Sequence, residues 1–258
     1  MKILRLTNSN DFYGDVADSD RGYRLIETAL AGEFGVEVET IRRTIWPADD
    51  LPDIVERWVM EHRPDMVFLK TSAYWYSYES VPLKFQRKFG RVGKAAGDTG
   101  LKAAATPRVA HNAVFRKLRY FAQATIGGET YFSIDYSLQT VEAVMRRVLR
   151  QEDTLLVVRG SRGGRDRPDV PKNVAARKEA RRVEFNTRLN QLCADLSVPM
   201  VRGSERRKYD PSERQADRFH SNAKGHADAG SFEAAALVEI WREHTTQLAR
   251  PGLTRATD

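Results

Sequence analysis

The sequence predicts one α/β domain of three layers, with a mostly parallel β-sheet between two layers of helices. Segments typical of strands alternate with segments at helical spacing up to residue 70, and the alternation resumes at residue 138. Some strand segments are apolar without interruption, which is typical of strands buried on both faces of a parallel sheet. The length of 258 residues and the hydrophobic fraction of 41% are sufficient for one such domain.

The strand segments are short and rich in apolar or β-branched residues. The first runs into a polar loop, the second alternates apolar and polar residues, and the third, Met66 to Leu69, is entirely apolar. We expect about five strands. The segments with this character are residues 2–6, 36–41, 66–69, 154–158 and 198–201.

The helical segments repeat apolar residues at every third or fourth position. Gly32 and Gly35 mark the end of the first helix, because glycine is common where helices end. The segments with helical spacing are residues 20–31, 51–62, 138–149, 175–196 and 226–248.

The region 74–136 interrupts this alternation. It spans about 60 residues, far more than the usual 2–6 residues between neighbouring elements of a sheet. We interpret it as an insertion into an α/β domain of residues 1–250, with 251–258 as a tail. A helical cap over the sheet and a partly disordered loop are both open interpretations.

Composition indicates a protein without a membrane span. No run of 18 apolar residues occurs, and the N-terminal stretch turns polar too soon for a secretory signal. We therefore expect a cytoplasmic protein. The single cysteine, Cys193, excludes an internal disulfide and lies in a helical pattern typical of a small core residue.

The net charge of +7 suggests attraction to an acidic partner, and it is unevenly distributed. Ten Lys or Arg and one acidic residue lie between Lys84 and Arg119, interleaved with phenylalanines. A solvated surface, an anionic substrate and nucleic acid are the three interpretations. We do not favour nucleic acid, and its binding would weaken steeply with salt.

The chemistry-bearing pattern with the most information is Asp217-Arg218-Phe219-His220. An Asp and a His three residues apart can face one pocket, where the carboxylate fixes the imidazole tautomer and leaves the other ring nitrogen free to accept a proton. Asp-x-x-His alone is a weak pattern. The residues that follow it, Ser221 to His226, suit a turn into a helix.

This stretch resembles the last sequence block of the SGNH (GDSL-like) hydrolases, Asp-x-x-His-Pro-Asn-x-x-Gly-His. The matching positions are Asp217, His220, Asn222, Gly225 and His226, and Ser221 replaces the proline. The resemblance covers the first 70 residues and roughly residues 138–245. It implies the three-layer SGNH hydrolase fold, which is flavodoxin-like, and hydrolysis of carboxylic esters.

The resemblance also implies that Ser9 is the nucleophile, because the family's serine directly follows the first strand. Here that strand leads into Thr7-Asn8-Ser9 in place of Gly-Asp-Ser. A serine at the carboxyl end of a strand meets the usual ligand crevice of such sheets, and its backbone N–H can donate to an oxyanion. The alternative is an ordinary turn serine between Asn8 and Asn10.

Two further blocks of the family are absent. The glycine after the second strand and the Gly-x-Asn-Asp after the third normally complete the oxyanion hole, and one lost donor typically costs about 2.7–4 kcal/mol. The residues placed by chain order to substitute, or to touch substrate, are Arg42, Arg43, Ser72, Tyr74 and Arg159. Ser161 follows the same strand as Arg159, but it fits neither a phosphate loop nor a nucleophile elbow.

We therefore predict a serine ester hydrolase that acts on a small or carbohydrate-type ester, with Ser9, Asp217 and His220 as its triad and no metal or cofactor. Acyl transfer to another alcohol would use the same residues. Two alternatives stay open: a catalytically weakened binding module of the same fold, and a basic protein that binds anions or nucleic acid. The sequence is silent on oligomeric state.

Overall fold

The computed structural model describes residues 1–13, 15–89, 112–162, 165–166, 170–202, 207–208, 210–215 and 220–248. Its strands are β1 (Lys2–Thr7), β2 (Glu39–Thr44), β3 (Met66–Lys70), β4 (Glu79–Ser80), β5 (Glu129–Thr130), β6 (Leu155–Arg159), β7 (Arg165–Asp166), β8 (Met200–Val201) and β9 (Arg207–Lys208). Its helices are α1 (Gly22–Phe34), α2 (Leu51–His62), α3 (Ala73–Ser77), α4 (Ala113–Thr125), α5 (Ile134–Val148), α6 (Lys172–Asp195) and α7 (Ala223–Leu248). Residues 81–89 are also helical.

The central sheet has five strands in the order β2-β1-β3-β6-β8, and every neighbouring pair is parallel. Helices cover both faces, so the predicted three-layer α/β/α class is confirmed. Because all five strands run the same way, their carboxyl ends meet at one edge of the sheet, which is where open α/β sheets bind ligands.

Each face of the sheet has its own apolar core. Alternate residues of a strand lie on opposite faces, so Leu4 and Leu6 pack towards α2, α5 and α6, while Ile3 packs towards α1 and α7. The central strands β3 and β6 are buried along their whole length. This two-sided burial explains why both strands are continuously apolar until their last residues.

The second strand begins three residues later than the sequence pattern predicts. Gly35 ends α1 in the left-handed conformation, with φ of 63°, and residues 36–38 connect it to β2. β2 is an edge strand that is only partly buried, so it tolerates charged side chains. Arg42 and Arg43 therefore lie within β2 rather than after it, which corrects the predicted boundary.

The region 74–136 begins and ends close together at the sheet edge. Strands β4 and β5 pair antiparallel, with Glu79 opposite Thr130, and α3 and α4 both contact α6. Residues 90–111 in its middle and the predicted tail 251–258 lie outside the described residues. Among the helices described above, none is both long and apolar enough to cross a membrane.

Candidate active site

Ser9 lies in a tight turn directly after β1. Asn8 caps this turn, since its side-chain Oδ1 accepts from the backbone N–H of Asn10 at 3.0 Å. The Ser9 carbonyl accepts from the backbone N–H groups of Phe12 and Tyr13 at 3.0 and 2.9 Å. These bonds close one 3₁₀ turn over residues 9–11 and fix Ser9 at the carboxyl edge of the sheet.

His220 meets Ser9 across 211 residues of sequence. Its Nε2 lies 3.3 Å from Ser9 Oγ, and the backbone N–H of Ser221 donates to Asn10 Oδ1 at 3.1 Å. The hydrogen bond from the Ser221 N–H to the Asn10 side chain therefore holds the two segments together beside the Ser9–His220 contact. Tyr13 lies on the same side, with its ring centroid 6.1 Å from that of His220.

The residues after His220 are shaped for a close turn into α7. Asn222 Oδ1 accepts from the Gly225 N–H at 3.1 Å, and its Nδ2 donates to the Ser212 carbonyl at 2.7 Å. A Cβ on Gly225 would lie 2.3 Å from the Glu213 carbonyl oxygen, so only glycine fits. Asp217, the predicted third triad member, lies outside the described residues.

His226 lies in the contact between α1 and α7. It is buried, and its Nδ1 accepts from the Gly22 N–H at 3.4 Å. Burial lowers the pKa of His226, and the nearby cations Arg21, Lys70 and Arg5 lower it further against the pull of Asp11. Its position indicates a role in packing the two helices.

A cluster of five buried charges, here called the ionic cluster, lies beneath the Ser9 turn. Its cations come from three neighbouring strands, and its carboxylates come from the Ser9 turn and from α7. Every member is less than a tenth exposed. The members are Arg5, Lys70, Arg159, Asp11 and Glu233.

Glu233 is the hub of the ionic cluster. Its carboxylate lies 2.8 Å from Arg5 Nη2, 3.2 Å from Lys70 Nζ and 2.8 Å from Arg159 Nε. Burial alone would raise the pKa of Glu233, but attraction to these three cations outweighs it and lowers the pKa to about 2. Glu233 is therefore ionised at neutral pH.

Asp11 ties the Ser9 turn to the ionic cluster. Arg5 Nε donates to its Oδ2 at 2.5 Å, and Lys70 Nζ lies 3.7 Å from its Oδ1. Burial opposes ionisation, yet Arg5 and Lys70 hold the pKa of Asp11 far below its usual range. Three cations face two carboxylates here. Burial and repulsion from Arg5 lower the pKa of Lys70 to about 8 despite the two carboxylates.

Arg42 braces the outer side of the serine turn. Its Nη1 donates to the Asp11 carbonyl at 2.7 Å, and its Nη2 donates to Asp18 at 3.1 Å. The guanidinium also lies 4.2 Å from the centroid of the Tyr23 ring. The donors of Arg42 are thus committed to the loop that follows Ser9.

Arg43 extends to the opposite face of the sheet and packs on α2. Its Nη2 lies 3.1 Å from His62 Nε2, and its guanidinium lies 5.7 Å from the Trp58 ring centroid. The structure therefore does not bring Arg43 together with Ser9, because adjacent residues of a strand lie on opposite faces.

Ser72 and Tyr74 follow β3 at the carboxyl edge. Ser72 caps α3, with its Oγ accepting from the Tyr74 N–H at 3.3 Å. The Tyr74 ring lies 5.8 Å from the Trp46 ring, which follows β2. Since β1 runs between β2 and β3, the contact of these two rings crosses the carboxyl end of β1, close to where Ser9 begins its turn.

Ser161 is buried in a structural network. Its Oγ accepts from the Tyr76 hydroxyl at 2.6 Å, and its backbone is bracketed by the Asn186 side chain, which accepts from its N–H and donates to its carbonyl. Arg159, two residues earlier, belongs to the ionic cluster. Neither side chain lies open beside Ser9.

Sequence reasoning missed Asp11, Lys70 and Glu233. The signal that could have found them is Arg5, a charge between two leucines in the buried part of β1, because a buried arginine requires carboxylate partners. Among the residues that the structure describes, no three His, Cys, Asp or Glu side chains converge in a way that could hold a metal ion.

Known structures share this fold. The psychrotrophic esterase EstA from Pseudoalteromonas sp. matches with a TM-score of 0.54 at 10% identity, covering 93% of this chain and 98% of that one. TesA matches with a TM-score of 0.53 at 12% identity, covering 93% and 99%. A carbohydrate acetylesterase family member from Sinorhizobium meliloti matches with a TM-score of 0.51 at 11% identity, covering 94% and 97%.

No family model matches the sequence, and the comparison with curated proteins gives no match either. At 10–12% identity, the likeness to these esterases establishes the three-layer fold alone. Function must therefore be argued from the serine, the histidine and their surroundings.

Proposed function

We propose that this chain is a serine ester hydrolase in which Ser9 is the nucleophile and His220 is the general base. The observation that carries the proposal is the 3.3 Å approach of His220 Nε2 to Ser9 Oγ at the carboxyl edge of the sheet. Nucleophile and base normally lie about 2.6–3.2 Å apart, and the distance is often longer before substrate binds. The esterases that share the fold support this reaction class.

The reaction follows from this pairing. Ser9 Oγ attacks the acyl carbon while His220 Nε2 takes the serine proton. The imidazolium then gives that proton to the leaving alcohol, which leaves an acyl group on Ser9. Water attacks the acyl-enzyme with His220 again as base, and this releases the carboxylic acid and restores the serine.

Asp217 is proposed as the residue that orients His220. It lies three residues earlier in sequence, a spacing at which its carboxylate can accept from Nδ1 of the imidazole and stabilise the imidazolium. Asp217→Asn should lower kcat strongly while leaving the thermal unfolding midpoint close to wild type, which calorimetry on the same samples measures.

The proposed oxyanion and substrate contacts are groups that lie at the carboxyl edge of the sheet. The Ser9 backbone N–H is the first oxyanion donor. Ser72 and Tyr74 lie at the neighbouring strand end and are the proposed substrate contacts. The predicted contributions of Arg42, Arg43 and Arg159 are set aside, because those three side chains are engaged with protein partners.

Labelling with a fluorophosphonate, which reacts with base-activated serines, tests the proposal. Wild type and Ser161→Ala should label, while Ser9→Ala and His220→Ala should not. Ser161→Ala is the matched control, since it removes another serine hydroxyl near the carboxyl edge that is buried against Tyr76. Labelling that persists in folded Ser9→Ala refutes the assignment. Folded wild type that neither labels nor hydrolyses acetate esters would favour a binding module.

A further inference from the structure

Five aromatic side chains, here called the aromatic platform, stand at the carboxyl edge beside the serine turn. They come from the residue that follows β2 and from both ends of the region 74–136. Each ring centroid lies 4.6–5.8 Å from that of at least one other member. The members are Trp46, Tyr74, Tyr78, Tyr131 and Phe132.

Trp46 is the most exposed member of the platform. Its side chain is 42% exposed, whereas the other four members are partly buried. Tyr131 and Phe132 meet it at steep interplanar angles of 75° and 65°. Contacts of this edge-on kind hold the indole in a fixed orientation, so its exposed part offers a flat aromatic surface on which another ring can stack.

A carboxylate lies at the Trp46 end of the platform. Tyr136 stacks on Phe132 at 5.4 Å, and its hydroxyl donates to Asp49 Oδ1 at 2.7 Å. Asp49 is exposed, and an ionised carboxylate has room for several further donors. A flat aromatic face next to a hydrogen-bond acceptor suits a ring that is apolar on its face and carries hydroxyl groups on its rim.

We propose that the aromatic platform binds the sugar ring of an acylated saccharide, with Trp46 stacking on the ring and Asp49 accepting from a ring hydroxyl. This inference rests on the proposed function and deepens it, because it assigns the substrate class to the same site. The Trp46–Tyr74 contact crosses the end of β1, so a sugar stacked there would place its ester group towards Ser9.

Three acetate esters separate the features of the site. All three carry the same acetyl group and differ in the alcohol. The alcohol of ethyl acetate has no ring, that of phenyl acetate is a ring without further hydroxyls, and that of 6-O-acetylglucose is a ring with hydroxyls. For Trp46→Ala we expect kcat/KM on 6-O-acetylglucose to fall about tenfold and the value for ethyl acetate to stay within about twofold. Trp46→Phe should retain part of the activity on the sugar ester, because it keeps a smaller ring.

Two further variants complete the design. Asp49→Ala should lower kcat/KM on 6-O-acetylglucose and leave phenyl acetate unchanged. Phe121→Ala, which removes an exposed ring on α4, is the matched control and should change none of the three esters. An equal loss on all three esters, or no loss in Trp46→Ala, overturns the proposal. A larger loss on phenyl acetate than on the sugar ester also overturns it, in favour of an aryl ester.

Binding to inactive protein keeps this inference separate from the proposed function. Ser9→Ala should bind 6-O-acetylglucose in saturation-transfer NMR, and the double variant with Trp46→Ala should lose the signal. If wild type hydrolyses no ester but Ser9→Ala shows this Trp46-dependent binding, the hydrolase proposal fails and the saccharide site stands. If hydrolysis occurs and binding is insensitive to Trp46, the saccharide site fails alone.

Discussion

Replacing Glu233 by glutamine should destabilise the fold strongly, because Glu233 is the carboxylate that pairs with all three cations of the ionic cluster. The substitution would keep the shape of the side chain but leave three buried cations facing one remaining carboxylate, Asp11. Breaking a buried ion pair by removing one partner costs about 3–5 kcal/mol, because the charge left behind stays desolvated.

The magnitude can be worked from the pKa of Glu233 as well. Its value falls from 4.5 to about 2 on folding. One pKa unit corresponds to about 1.4 kcal/mol, so the ionised carboxylate contributes about 3 kcal/mol to stability. For a chain of this size, a loss of about 3–5 kcal/mol should lower the midpoint of thermal unfolding by roughly 6–20 °C.

The direction of the pKa shift of Glu233 determines how its contribution to stability depends on pH. A depressed carboxylate pKa stabilises the fold above the unfolded value of 4.5, and this contribution disappears as pH falls through about 2. The gap between wild type and Glu233→Gln should therefore be full at pH 6 and close towards pH 2. Differential scanning calorimetry at pH 6 and pH 3 measures both values.

The matched control is Glu33→Gln. Glu33 also pairs with an arginine of α7, Arg242, but both partners are about half exposed. Exposed pairs contribute about 0–1 kcal/mol, so this variant should melt close to wild type. If Glu233→Gln melts as Glu33→Gln does, or if its deficit is the same at pH 3 as at pH 6, the argument from the buried charges is refuted.

Three further predictions concern packing and reactivity. Gly230→Ala should lower the unfolding midpoint, because its Cβ would lie 2.6 Å from a backbone oxygen of α1, whereas Gly32→Ala should raise stability by up to about 1 kcal/mol, since nothing lies within 4 Å. Cys193 should resist thiol reagents until the protein unfolds, because burial raises its pKa to about 12. Ser161→Ala should lower stability by about 1–3 kcal/mol in urea titrations, because the buried Tyr76 hydroxyl loses its acceptor.

The fold was predictable where one local pattern determined the outcome. β3 and β6 are buried on both faces, so their sequences are continuously apolar and the prediction needed no neighbours. The sequence pattern puts β2 too early because the alternation at Val36 and Val38 is typical of a strand. The strand in the structure begins at Glu39 and carries two arginines. An edge strand can hold those charges, and only the sheet order shows that β2 lies at the edge.

The Ser9–His220 pairing was predictable because His220 stands in a block with a recognisable order and Ser9 follows the first strand, where the resemblance places the nucleophile. The aromatic platform was not predictable, although four of the five residues from Tyr74 to Tyr78 are aromatic. Trp46, its most exposed member, and Tyr131, which contacts it, come from distant segments that only the folded chain brings together. No local pattern links residues so far apart, because their contact depends on how the sheet orders its strands.

The ionic cluster shows how the two halves of the site are held in register. Asp11 lies two residues after Ser9, and Glu233 lies in the helix that begins three residues after His220. Both carboxylates bind the same guanidinium, that of Arg5, at 2.5 and 2.8 Å. A displacement of either segment would separate a buried charge from its partner at a cost of several kcal/mol. The strands therefore serve as a fixed base, because their buried cations anchor the serine turn and the histidine-bearing segment at a common point.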